Sequence, residues 1–168
     1  MKAIRSAAEL YAHAIAIERE AAARYSELAQ QMSDRGEDAV AEVFSGLARA
    51  EAAHLEALEQ RAAGIALPNV AAGQYQWLDA AAPETASHEW LFRFITPRQA
   101  LLIALDAERR AEAFFESALV AAADPALRAL AREMALEERE HIQIVEQLIE
   151  RTADPVVDWA SVYDTTRA

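Results

Sequence analysis

Two stretches of the chain place a glutamate and a histidine three residues apart. They are LARAEAAHL, with Glu51 and His54, and MALEEREHI, with Glu138 and His141. On a helix this spacing sets a carboxylate and an imidazole on one face, a turn apart. Both pairs fall in apolar register. Phe44, Leu47, Glu51, His54 and Leu58 follow the alternating three- and four-residue steps of a bundle seam, as do Ala131, Met134, Glu138, His141, Val145 and Leu148. Charged groups on such a seam are costly unless something compensates them.

Two further glutamates stand in the same situation. Tyr11, Ala14, Glu18, Ala21, Tyr25 and Leu28 form one seam, and Leu101, Ala104, Glu108, Ala111, Phe115 and Ala118 another. In each, one Glu replaces an apolar residue, and the alanine three positions on leaves room at the centre. IEREAAARY (from Ile17) resembles AERRAEAFF (from Ala107), and LARAEAAHL resembles MALEEREHI, so the chain reads as two related halves. A single Glu-x-x-His in a Glu-rich chain is an ordinary exposed contact. Two such pairs in core register, each with a core-register Glu on the preceding helix, are different. Four carboxylates facing one another in a dry bundle repel and raise each other's pKa, and divalent cations remove the problem. Six oxygen and nitrogen ligands for two ions suit iron or manganese better than a lone structural zinc.

Four helices must position these residues. The first runs roughly from Ser6 to Met32, opening at SAAE, which has the capping-box form, and stopping at the polar break SDRGED. The second runs from about Glu37 to Ala63 and stops at Gly64. The third opens at TPRQ, with Thr96 as N-cap, Pro97 at the first helical position and Gln99 closing a capping box, and continues to about Ala123. Asp124-Pro125 starts the fourth, which runs to about Arg151. Between Gly64 and Thr96 lies a long crossover carrying Pro68, Gly73 and Pro83 with Trp77, Trp90, Phe92 and Phe94. Its aromatics are expected to pin it to the bundle, the alternative being a second subunit, and residues from about Ala86 to Phe94 to form a short helix. The expected organisation is an all-α four-helix domain over residues 1–151, two helix pairs joined by the crossover, with a tail over 152–168 that docks a short turn through Trp159.

Bulk properties narrow the function. A net charge of −12 and a pI near 4.7 argue against nucleic acid as a partner. The 168 residues include no cysteine, which excludes disulfides, thiolate zinc and a fused rubredoxin-type centre. MKAIRSAAEL lacks the apolar run of a signal peptide and no segment is apolar enough to span a membrane, so a cytoplasmic protein without a membrane partner is expected. His13 lies off the main register and His88 in the crossover, neither with an expected ligand role. Glu20, Glu112, Glu137 and Glu140 flank the seams and are expected to face solvent, the alternative being an entry route for cations.

With these residues in view, the chain resembles the ferritin-like di-iron carboxylate superfamily, most closely the rubrerythrin-type proteins, over the four helices and the crossover. The resemblance implies two iron ions per chain, manganese being the alternative. It makes Glu51 and Glu138 bridging carboxylates, Glu18 and Glu108 terminal carboxylates, and His54 and His141 terminal imidazoles. Tyr25 matches a family tyrosine that hydrogen-bonds near the cluster and is the candidate catalytic residue. Two departures matter. Ala111 stands where rubrerythrin peroxidases usually carry a further Glu, which leaves a ligand set closer to that of bacterioferritins; yet Ala52 stands where bacterioferritins carry their haem-ligating methionine, so no haem is expected. The rubredoxin module is also missing, so electrons would come from an external donor. The implied activity is Fe(II) oxidation with peroxide or dioxygen. Iron storage or delivery, and a metal-bound structural bundle without turnover, are the alternatives. A homodimer or larger homo-oligomer is expected.

Overall fold

The computed structural model describes Ile4 and residues 6–70 and 95–153. They form four helices: α1 (Ala7–Ser33), α2 (Asp38–Arg61), α3 (Pro97–Ala121) and α4 (Pro125–Arg151). There is no strand among the described residues. None of the described helices is long and apolar enough to cross a membrane.

Local chemistry sets most of the helix ends. The Ser6 side chain accepts from the Glu9 N–H at the start of α1. Thr96 and Gln99 form a complete capping box ahead of Pro97, and Asp124 accepts from Ala126 N–H ahead of α4. α2 stops at Arg61, short of the expected Ala63, as the chain turns through Gly64 at φ +84°, a left-handed conformation that favours glycine. α3 stops at Ala121, not Ala123, because Ala122 is already extended toward the Asp124 cap. The short helix expected in the crossover, its aromatics, His88 and the tail turn near Trp159 lie outside the described residues.

α1 pairs with α2 and α3 with α4, and each helix passes through two apolar clusters in turn. One cluster gathers Leu10 and Ile17 of α1, Leu58 of α2, Phe115 of α3 and Met134 of α4. The other gathers Leu28 of α1, Phe44 of α2, Leu101 of α3 and Val145 of α4. Burying each such side chain contributes roughly 1.5–3 kcal/mol. This division fixes the topology. α2 ends in the first cluster and α3 begins in the second, so the chain must travel the length of α2, about 36 Å at 1.5 Å per residue. A short loop cannot do this, which is why the crossover exists.

Polar bonds join helices both within a pair and between the pairs. Arg98 on α3 donates to the Ile149 and Thr152 carbonyls at the end of α4, at 2.6 and 3.1 Å. Arg61, in the last turn of α2, grips Glu133 of α4 through two bonds of 2.6 and 3.0 Å. Where the helices pass from one cluster to the other, the apolar packing is interrupted by a layer of charged side chains.

Candidate metal centre

The interruption comes at Glu18 on α1, Glu51 and His54 on α2, Glu108 on α3, and Glu138 and His141 on α4. Glu18, Glu51, Glu108, Glu138 and His141 are the buried charged or polar residues of the described chain, and His54 is partly buried. The seams explain why. Leu47 and Leu58 are buried on either side of Glu51 and His54, and Met134 and Val145 on either side of Glu138 and His141, so the intervening polar residues must point inward too. Tyr11, Ala21 and Leu148 are only partly buried, so the seams fray at those positions.

Both imidazoles turn Nδ1 toward the carboxylates. His141 Nδ1 stands 3.0 Å from Glu51 Oε1, 3.6 Å from Glu108 Oε2 and 4.0 Å from Glu138 Oε2. His54 Nδ1 stands 3.8 Å from Glu18 Oε2 and 3.9 Å from Glu51 Oε2. The two rings lie nearly parallel with centroids 5.5 Å apart. Two compact donor sets result, Glu51 with His54 and His141, and Glu108 with Glu138 and His141; Glu18 reaches the first through His54.

Close approach does not bring satisfaction. Five buried side-chain nitrogen or oxygen atoms among the described residues have no hydrogen-bond partner, and four are here: Glu18 Oε2, Glu51 Oε1, His54 Nδ1 and His141 Nδ1. The 3.0 Å approach of His141 Nδ1 to Glu51 Oε1 is an ion-pair distance, yet neither atom has a hydrogen-bond partner. Buried polar atoms are rarely left so, and a cluster of them around one point suits the donor atoms of a cation site. The residues present therefore fit a carboxylate–histidine metal centre.

The electrostatics agree. Burial and the adjacent Glu51 push the Glu18 carboxyl up to about 11. Burial and the adjacent Glu108 likewise raise Glu138 well above the carboxylate range. Burial acts to raise Glu51 as well, but Glu18 and the imidazoles outweigh it and hold Glu51 low. Burial acts to lower His141, yet Glu108 and Glu51 raise it to about 10. Without a cation the layer thus stores protons, because four close carboxylates cannot all stay ionised.

Tyr25 closes one side of the layer. It is buried, stacks on Phe44 at 5.9 Å between centroids, and its Oη donates to Glu108 Oε1. Burial, then the Glu108 charge, raise its hydroxyl well above 10, so it is a donor and not a phenolate. Of the glutamates expected to face solvent, Glu140 does so, whereas Glu20 and Glu112 are partly buried and Glu112 pairs with Arg139 at 2.6 Å. Glu137 departs furthest. It is partly buried, with Oε2 4.0 Å from His54 Nδ1. The seam pattern missed it because it sits one residue beside Glu138. No signal in the sequence marked it, because its depth depends on the approach of other helices. His13 packs beside Phe114, away from the layer.

Comparisons with known proteins agree with this geometry. The family model for rubrerythrin matches residues 9–87, the span that includes Glu18, Tyr25, Glu51 and His54. A solved structure, that of an uncharacterized conserved protein from Magnetospirillum magnetotacticum MS-1, is similar with a TM-score of 0.80 and 36% sequence identity, over 91% of this chain and 99% of that one. No curated protein matches the chain. A bundle of two helix pairs, a carboxylate–histidine layer at its middle and these two likenesses converge: the chain belongs to the rubrerythrin family of the ferritin-like di-iron superfamily.

Proposed function

We propose that the buried layer holds two iron ions and that the protein is a non-haem di-iron oxidoreductase, oxidising Fe(II) with peroxide or dioxygen as the electron acceptor. The observation that carries this reading is the set of four unpartnered buried atoms facing one another between the helix pairs. Two divalent cations would satisfy them together and neutralise the carboxylates. Glu18, Glu51, Glu108 and Glu138 would supply oxygen ligands, and His54 and His141 nitrogen ligands, a donor set suited to iron and tolerant of manganese. Glu51 lies within 3.9 Å of one Nδ1 and 3.0 Å of the other, which supports a bridging role. Glu138, beside Glu108 and His141, is its counterpart on the second pair. Bound iron would supply Lewis acidity and one-electron redox chemistry at a two-ion clamp.

The chain's own residues do the rest. Tyr25 fixes Glu108 through its hydroxyl and keeps its proton at neutral pH. The apolar clusters on either side of the layer limit water at the centre. The 168 residues hold no cysteine for a rubredoxin-type centre, and Ala52 stands in place of the bacterioferritin haem ligand, so returning the oxidised centre to Fe(II) would draw on a donor outside these residues.

An anaerobic Fe(II) titration of the metal-free protein tests the reading. Saturation near two Fe(II) per chain is expected, and loss of that stoichiometry in Glu51→Ala and Glu138→Ala. Repeated consumption of peroxide or dioxygen in the presence of excess Fe(II) should follow. Binding indifferent to both substitutions defeats the metal assignment, and a single turnover with tight retention of the ions would favour a structural bundle instead.

A further inference from the structure

The two halves of the layer differ in depth. The His141 side chain is 7% exposed, and its partners Glu108 and Glu138 are buried. The His54 side chain is 26% exposed. This open half has an additional carboxylate. Glu137 Oε2 lies 4.0 Å from His54 Nδ1, on a side chain 28% exposed. Glu18 Oε2 lies 3.8 Å from the same nitrogen on a side chain 1% exposed. His54 Nδ1 and Glu18 Oε2 are both unpartnered and closed off from solvent. Two carboxylates of very different depth thus flank one imidazole, and Glu137 is the outer one.

Its surroundings leave Glu137 free for this task. Arg61 bears on the Glu137 charge, but both its terminal guanidinium nitrogens are engaged by Glu133, one turn before Glu137. α3 adds no further carboxylate to this half: Glu112, one turn after Glu108, is engaged by Arg139, and the next seam position is the buried Ala111. The closed half has no equivalent of Glu137: in the repeat that matches Glu51 to Glu138, the residue before Glu51 is Ala50.

Resting on the di-metal reading above, we propose that Glu137 is a fifth carboxylate and seventh ligand of the centre, serving only the ion at the His54 half, where it takes up the incoming divalent cation from solvent. The two ions of the centre then load and leave unequally. The ion near His141, Glu108 and Glu138 is shut in, whereas the ion near His54 exchanges through Glu137.

Co(II), added without oxidant to the metal-free protein and followed by its visible absorption, tests this apart from turnover. Wild type should take up two Co(II) per chain in two phases, and EDTA should strip one ion first. Glu137→Gln should weaken or slow one phase alone, by roughly ten- to hundredfold, as loss of a supporting group at a metal site typically does. Glu140→Gln, with the same charge change on the same helix, should leave both phases as in wild type. The inference is overturned if Glu137→Gln matches Glu140→Gln, if both phases fall equally, or if the two wild-type ions exchange alike. Failure of wild type to bind two Co(II) would overturn the di-metal reading itself, an outcome distinct from any of these.

Discussion

Tyr25, on the first helix pair, donates its hydroxyl hydrogen bond to Glu108, on the second. The donor and the acceptor are both buried, so this bond ties the two pairs together at the level of the charged layer. It also selects among the carboxylates. Glu108 has an outside partner, while Glu18 and Glu51 each keep an unpartnered oxygen.

Removing that bond with Tyr25→Phe keeps the ring and its stacking on Phe44 while leaving a buried carboxylate short of a donor. A stability loss of roughly 1–3 kcal/mol is expected in the metal-free protein. Equilibrium urea unfolding measures it. Wild-type stability in the variant would mean that the bond contributes nothing to joining the helix pairs.

Protons and metal should compete for the layer. Glu18 and Glu138 bind protons more tightly in the folded chain than in the unfolded one. Their contribution to stability is complete below the ordinary value of 4.5 and is lost as pH rises, through about 11 for Glu18. That of His141 is complete below 6.5 and lost as pH rises through about 10. Glu51, held low, acts oppositely and only in acid. The melting temperature of the metal-free protein should therefore fall between about pH 6 and pH 9. Metal binding should release protons, since ligands must be deprotonated. Titration calorimetry in buffers of different ionisation enthalpy reads the release directly; binding heats independent of buffer would contradict the assignment.

A second pH effect lies away from the charged layer. Burial lowers the His13 pKa from 6.5, outweighing the opposing Glu9 charge, and the ring packs at 5.5 Å from Phe114. The unfolded chain takes up this proton more readily than the folded one, so stability is lost as pH falls through 6.5 and is unaffected above it. His13→Gln should flatten the stability slope between about pH 7 and pH 5. Chemical unfolding at a series of pH values checks this, and an unchanged slope would assign the acid sensitivity elsewhere.

Much of the fold was legible because its signals are local. Ser6, Thr96 with Gln99, and Asp124 cap their helices through neighbours two or three residues away. The seams are equally local: a helix that buries Leu47 and Leu58 must also turn Glu51 and His54 inward. Glu137, expected to face solvent or to offer cations an entry route, is half-buried, because periodicity places a residue on a face but not at a depth. One position from Glu138, it lies at the edge of the seam, and its burial depends on how closely another helix approaches.

By itself the sequence determined the four helices, the need for a crossover and the Glu and Glu-x-x-His positions, because each follows from spacing along one chain and from the cost of charge on an apolar face. Only the tertiary structure decided that Tyr25 reaches Glu108, that His54 is more open than His141, and that Glu137 faces His54. These depend on how the two helix pairs rotate and close on one another, and side chains brought together from different helices leave no periodic trace in either.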